Sequence, residues 1–346
     1  MRLLIEQGAK DESGLVLLRS KLRAVSRRMG FNDVKREHME LVCKEMVTNQ
    51  NKFAQGNGLI QLWERAQPRP ALDLFAFDYG KGIANLETAM RDGYTTAGTM
   101  GKGLGAIRRL SSQCEIYSLP PELAKDSPWH GTAIWARFLG GGEEAAGALE
   151  TGSYLRAYQD SSYNGDRIQV RGGKEKTRWL HMDGLGHGRE AAEVVDGIGE
   201  FLDEETPVDG LARRLSAQLQ GTRGAVAMLC EADAAMQTVK ICGVGDMIAY
   251  LIANGEKKTV SFSPGVLGHA HRTPETYILP FPPQALLITA SDGLRRSMTL
   301  RTLPELWRLH PQLIVLVLGQ VMGRHNDDRS VFAVRTNPNV RNGHGG

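Results

Sequence analysis

Between Asp78 and Leu110 the chain reads Asp-Tyr-Gly-Lys-Gly-Ile and then, past a short helix-like segment, Arg-Asp-Gly-Tyr-Thr-Thr-Ala-Gly-Thr-Met-Gly-Lys-Gly-Leu-Gly-Ala-Ile-Arg-Arg-Leu. Glycines at 98, 101, 103 and 105 leave no Cβ in the way of backbone N–H groups that turn toward an anion. Leu104, Ile107 and Leu110 follow at helical spacing, so the loop opens onto a helix N-terminus with its partial positive charge. Phosphate is the natural guest of such a loop, although glycines of a merely flexible loop would read the same in isolation.

The upstream residues decide between the two. Glu45 and Asn49 lie four apart in a helical pattern that begins at Asn32-Asp33, which puts them on one helix face. Asp78 closes the strand-like run Leu72-Asp73-Leu74-Phe75-Ala76-Phe77. Glu-x-x-x-Asn, Asp-x-Gly-x-Gly and Gly-x-x-Gly-x-Gly-Leu, in that order, resemble the ATP site shared by gyrase, histidine kinases and MutL (the GHKL superfamily). Asp92-Gly93-Tyr94-Thr95-Thr96 and Gly101-Lys102-Gly103-Leu104-Gly105 are most similar to the anti-sigma-type serine/threonine switch kinases of the RsbT/RsbW/SpoIIAB group. The resemblance spans roughly Leu15 to Phe138. It implies an ATP site in which Asn49 holds magnesium, Asp78 accepts from the adenine amino group, and Gly80, Gly82, Gly98, Gly101, Lys102, Gly103, Leu104 and Gly105 surround the nucleotide. Glu45 is then the base that takes the proton of a serine or threonine hydroxyl.

A chain of 346 residues leaves room for two domains. An apolar content of 41% and a charged content of 23% are those of a globular protein, and a net charge of +3 is too small to argue for nucleic acid or a membrane surface as partner. Apolar runs such as Leu313–Leu318 fall far short of the roughly 20 residues that span a bilayer. Glu6, Lys10, Asp11 and Glu12 interrupt any early leader pattern, and four scattered cysteines without metal spacing suit reduced thiols, so a cytoplasmic protein is expected.

Taken in order, Leu15, Leu18, Leu22, Val25 and Met29 mark one face of a first helix, ended by Gly30. Asn32-Asp33 caps a second helix through about Phe53. Strands are expected at 58–65, 71–77, 114–119 and 132–138, giving a helix-on-sheet sandwich for residues 1–139. The Gly-, Ala- and Glu-rich stretch 140–152 reads as a linker. Residues 153–336 then alternate strand-like pieces (154–158, 166–170, 178–182, 225–230, 238–244, 247–252, 276–279, 285–290, 330–335) with helical ones (188–202, 208–219, 301–309, 312–322). That pattern predicts two packed sheets flanked by helices, and the fold class of the whole is α/β (α+β). Residues 337–346 read as a frayed tail.

Acidic residues punctuate this second half. Asp166 starts a strand, Asp183 ends one in Asp-Gly-Leu-Gly-His-Gly, Asp292 follows one in Ser-Asp-Gly, and Asp327-Asp328 precede the last. Any one Asp-Gly pair is an ordinary turn; four acidic strand ends together offer the hard oxygen ligands that magnesium or manganese takes. With Gly165-Asp166, Gly245-Asp246-Met247 and Ser291-Asp292-Gly293, the series resembles the SpoIIE/RsbX branch of the type 2C metal-dependent serine/threonine phosphatases, over about Ser153 to Thr336. The resemblance implies two Mn or Mg ions held by Asp166, Asp183, Gly184 through its carbonyl, Asp292 and Asp327, with Asp183 and Asp292 central to catalysis. It leaves open which of Asp327 and Asp328 ligates, and whether His187 donates a proton or only packs. Asp246 reads as a turn residue, His181 as a packed or surface residue, and His269-Ala270-His271 as a loop pair with no third ligand.

Two opposed chemistries on one chain make a switch. The resemblances imply a bacterial partner-switching protein that phosphorylates a STAS-type antagonist with ATP and magnesium and removes the phosphate at the two-metal site. Its partners would be that antagonist, its phosphorylated form, and a downstream phosphatase or sigma-factor regulator. Two other readings stand beside it: a phosphatase whose ATP-site domain only senses nucleotide or docks a partner, and a non-catalytic anti-sigma or activator module.

Overall fold

The computed structural model describes residues 1–66, 69–90, 103–141, 147–173 and 175–337. The chain divides into two compact units, Met1–Glu143 with Arg301–Leu309, and Glu144–Leu300 with His310–Gly346.

In the first unit, strand β1 (Arg2–Gly8) leads into helices α1 (Glu12–Arg28) and α2 (Asp33–Phe53). Asp11 caps α1 by accepting from the Gly14 N–H at 2.9 Å, and Asn32 caps α2 by accepting from the Lys35 N–H at 2.9 Å. Strands β2 (Gly58–Arg65) and β3 (Ala71–Asp78), short helices α3 (Leu86–Met90) and α4 (Gly103–Leu110), and strands β4 (Gln113–Leu119) and β5 (Gly131–Leu139) complete it. The sheet is antiparallel with order β1-β2-β3-β5-β4. Leu18, Leu22, Met39, Val42 and Met46 of the two long helices pack on Ile60, Leu62, Leu72, Leu74 and Ile134 of the sheet. Alternate residues of β3 and β5 are buried on the other face, where Arg137 is bound to Asp73 through two hydrogen bonds of 2.8 and 2.7 Å.

The second unit is built from β6 (Leu149–Arg156), β7 (Asp166–Gly172), β8 (Lys176–Gly184), α5 (Arg189–Asp196), α6 (Val208–Gln218), β9 (Ala225–Asp233), β10 (Thr238–Val244), β11 (Ile248–Ala253), β12 (Glu256–Val260), β13 (Thr276–Pro280), β14 (Leu286–Ala290), α7 (Pro311–Val321) and β15 (Arg329–Thr336). Two five-stranded antiparallel sheets result, β13-β10-β9-β8-β7 and β12-β11-β14-β15-β6. Trp179, Cys230, Val239 and Ile241 from one meet Ala249, Leu251, Leu287, Phe332 and Val334 from the other. Val195 of α5 and Leu211 and Leu215 of α6 cover Leu180, Met182 and Leu229 on the outside of the first sheet. Helix α7 lies on β6 and β15 and is buried from Leu313 to Leu318.

The expected layers are there, with local corrections. The opening segment is a strand, its Leu4 and Ile5 packed on the core although Arg2, Glu6 and Gln7 dilute the pattern. Residues 149–152 of the expected linker belong to β6 and pair with 333–336 of β15, a long-range pairing that Gly, Thr and Glu do not advertise. Residues 157 and 158 of the expected 154–158 strand lie past the end of β6, with Tyr158 opening a short 3₁₀ turn. Helix α5 stops at Asp196 because Gly197 and Gly199 follow, the latter at φ +64°. Of the expected 301–309 helix only a 3₁₀ turn, Leu306–Arg308, forms. The edge strand β12 lies outside the expected strands, since Glu256, Lys257 and Lys258 are charges that a sheet edge carries without an apolar alternation to announce it.

Candidate functional site

The first unit gathers its candidate residues from α2, β3 and the start of α4. Glu45 and Asn49 share one face of α2, and that face meets the first residue of α4: a Cβ placed on Gly103 would stand 3.1 Å from Glu45 Oε2 and 3.4 Å from Asn49 Oδ1. Asn49 Nδ2 is buried without a hydrogen-bond partner among the described residues. Asp78 Oδ1 accepts from the Gly80 N–H (2.8 Å) and the Thr132 N–H (3.1 Å). These bonds favour the carboxylate, but burial outweighs them and the Asp78 carboxyl titrates above its ordinary range. Gly131, at φ +144°, lets β5 pass so close that a Cβ there would be 2.1 Å from the Asp78 carbonyl. Gly80 and Gly82 carry the chain away from Asp78, and Leu104 and Gly105 fall inside α4 where it packs on α2. Gly98, Gly101 and Lys102 lie outside the described residues.

In the second unit the strand-end carboxylates converge. Asp166 and Asp183 are direct partners across β7 and β8. Asp292 comes two residues after β14 and Asp327 two residues before β15, adjacent strands of the facing sheet. Their proximity is felt electrostatically. The Asp183 carboxyl is pushed far up, first by burial and then by Asp166, Asp292, Asp327 and Asp328. Asp166 is likewise raised, by burial first and by Asp328 and Asp327, and Asp327 by burial and Asp292. Gly293 is what lets the two acidic loops approach, since a Cβ on it would stand 1.9 Å from the Asp328 carbonyl oxygen.

These residues suit a hard cation. Asp166 is buried, its Oδ2 accepts from Ser291 Oγ and Ser330 Oγ at 2.7 Å each, and its Oδ1 has no partner among the described residues. Among the described residues no three acidic, histidine or cysteine side chains form a cage that holds a metal as it stands. Magnesium, however, keeps several waters and takes one or two carboxylates per ion, so open carboxylates of this kind are what it uses.

The structure separates residues that sequence left paired. Asp328 spends its carboxylate on the Tyr158 N–H (2.7 Å) and the Gly165 N–H (2.8 Å), and it is buried; Asp327 is half-buried beside Asp292. Asp246 is ion-paired with Arg296. His187 is exposed, its ring 5.4 Å from that of Tyr158. His269 and His271 are engaged by Thr222 O and Ser216 Oγ, respectively. Sequence alone gives Ser291 and Ser330 no role, and His181, expected as a packed or surface residue, is packed. The available signal was weak: two hydroxyls set one or two residues from acidic strand ends. His181 is fully buried, and burial drives its ring far below the ordinary range, to about 3, so it is neutral.

The family described as stage II sporulation protein E (SpoIIE) matches residues 173–337. The serine/threonine-protein kinase RsbT of Bacillus subtilis (strain 168) is 30% identical over 112 residues, which is 32% of this chain and 84% of that protein; the likeness lies in the N-terminal region. Among solved structures, a chain of the bacterial stressosome, described as a modular system adapted to control secondary messenger signaling, is 27% identical with a TM-score of 0.50, over 54% of this chain and 99% of that one. RsbX in complex with magnesium is 19% identical with a TM-score of 0.49, over 56% of this chain and 98% of that one.

Proposed function

The chain belongs to the RsbT family of serine/threonine-protein kinases through its N-terminal region and carries a SpoIIE-type, type 2C phosphatase domain in its C-terminal region, and from this premise we propose that it is a bifunctional partner-switching regulator. One unit phosphorylates a serine or threonine of a STAS-type antagonist protein; the other removes that phosphate. The observation that carries the reading is Asp166, buried with one oxygen tied by two hydroxyls and the other unpartnered among the described residues, beside Asp183, Asp327 and Asp328.

In the phosphatase unit Asp166, Asp183, Asp292, Asp327 and the Gly184 carbonyl would hold two magnesium or manganese ions. Bound metal supplies an acidified water and neutralises phosphate charge. The protein's own part is to aim the carboxylates there: Ser291 and Ser330 favour the charged form of Asp166 against the burial that opposes it, and Asp328 binds the β7 entrance to the loop before β15. In the kinase unit Glu45 is positioned to accept the hydroxyl proton, Asn49 Nδ2 and Oδ1 face the mouth of α4, and Asp78 offers its remaining oxygen to an adenine amino group. Phosphoryl transfer asks mainly for such positioning and charge neutralisation. A phosphatase with a nucleotide-sensing first unit is the second reading; Glu45 beside Gly103 favours the kinase, since a sensor needs no base there.

The test is to incubate the protein with ATP, magnesium and candidate STAS proteins, then add manganese and follow the phosphate. Transfer followed by release supports the proposal; release without transfer selects the second reading.

A further inference from the structure

Five side chains that bridge the two sheets of the second unit form one hydrogen-bonded line. Trp179 Nε1 lies 3.3 Å from Thr289 Oγ1, Thr289 Oγ1 is 3.0 Å from His181 Nδ1, His181 Nε2 is 2.7 Å from Ser330 Oγ, and Ser330 Oγ is 2.7 Å from Asp166 Oδ2. Trp179, His181, Thr289 and Ser330 are buried to 1% exposure or less, so no solvent supplies or takes a proton along it.

Counting protons fixes every direction. The indole of Trp179 can only donate, so Thr289 accepts from it. In the ionised form that a metal ion requires, the Asp166 carboxylate can only accept, so the single hydroxyl proton of Ser330 goes to Asp166. Ser330 Oγ therefore accepts from His181, which puts the ring proton on Nε2 and leaves Nδ1 to accept from Thr289. With the other tautomer, Nε2 would present a lone pair to Ser330 and compete with Asp166 for its one proton.

We propose that His181 is a positioning residue for the phosphatase metal site, holding Ser330 so that Asp166 keeps Oδ2 tied down and turns Oδ1 alone toward the metals. Ser291 is the second tie, donating to the same Oδ2 at 2.7 Å and accepting from the Ser330 N–H at 3.2 Å. Rotating the Asp166 carboxylate would break both hydroxyl bonds at once. The chain through His181 thus reaches from the middle of the sandwich to one oxygen of one ligand. Partners that orient a ligand in this way are worth about 10–100-fold in metal affinity.

The inference rests on the two-metal reading, and manganese binding to the full-length protein, measured by calorimetry and by the electron paramagnetic resonance of free manganese, tests the two separately. His181→Phe fills the space and removes both nitrogens; His181→Gln returns an N–H donor at the reach of Nε2. Expected are affinities about 10–100-fold weaker for His181→Phe and Ser330→Ala, a double variant no weaker than the worse single, and recovery of most of the loss in His181→Gln. A purely structural histidine would lower the unfolding temperature in both His181 variants without this recovery. Wild-type affinity in Ser330→Ala or in folded His181→Phe overturns the inference, as do losses that multiply in the double variant. If His181→Phe does not fold, Ser330→Ala and His181→Gln decide it. Absence of manganese binding by the wild type, or unchanged binding in Asp166→Asn, overturns instead the metal-site reading on which it stands.

Discussion

Asp328 and Asp327 are neighbours with opposite duties. Asp328 bonds the backbone N–H groups of Tyr158 and Gly165 at 2.7 and 2.8 Å, tying the approach to β15 to the loop before β7, while Asp327 accepts the N–H of Asp328 itself at 2.9 Å and stands beside Asp292. The structural task thus falls to Asp328, and Asp327 is the one of the two that we propose as a metal ligand.

Asp328→Ala should therefore destabilise the metal-free protein by about 2–5 kcal/mol, since two backbone donors lose a charged acceptor. Asp327→Asn should leave the metal-free unfolding temperature unchanged or raised, by relieving repulsion, and should abolish most of the manganese-induced rise. Thermal melts with and without manganese check both; reversed roles for the two residues would refute the assignment.

Stability of the metal-free protein should fall as pH rises from about 6.5 to 8.5. Burial and mutual repulsion raise Asp166 and Asp183, so the folded state holds protons that the unfolded chain has released. Such groups contribute fully below the ordinary carboxylate range and lose that contribution as pH rises through the raised values. Below 6.5 the buried His181 acts in the other sense, its stability being lost as pH falls, which is why the window starts there. Saturating manganese should flatten the decline, because bound metal keeps the carboxylates deprotonated at no cost in repulsion. An equal slope with and without manganese would count against clustered carboxylates as its cause.

Asp78→Asn should weaken ATP binding roughly 10–100-fold, the worth of a hydrogen bond to a charged acceptor. An amide still accepts from Gly80 and Thr132 through one oxygen, but it then points an N–H₂ where the nucleotide's amino group needs an acceptor. Calorimetry with ATP decides it, and unchanged affinity would remove Asp78 from the nucleotide site.

Glu45→Ala should reduce phosphoryl transfer by about 10²–10⁴-fold while leaving ATP affinity nearly intact, because a base acts on the hydroxyl and not on the nucleotide. Transfer at the wild-type rate to a phosphorylatable partner would move the base elsewhere or deny the unit kinase activity.

Sequence by itself determined the elements whose signals are local. Asn32 three residues before Lys35, the apolar face Leu18-Leu22-Val25 and the glycine after Met29 specify α1 and α2, because caps and helical faces are settled within one or two turns. The order of Glu45, Asn49, Asp78 and the glycine loop, and of Asp166, Asp183, Asp292 and Asp327, was likewise readable, since each motif fits within a few residues. Tertiary structure alone decided what depends on distant partners. The pairing of 149–152 with the end of β15, the engagement of Asp328 by Tyr158 and Gly165, and the place of His181 rest on hydrogen bonds across separations of 149 to 187 residues. A side chain's own neighbours in sequence carry no record of such partners. Only the closing of two sheets on one another brings the serine, the histidine and the aspartate into a single line.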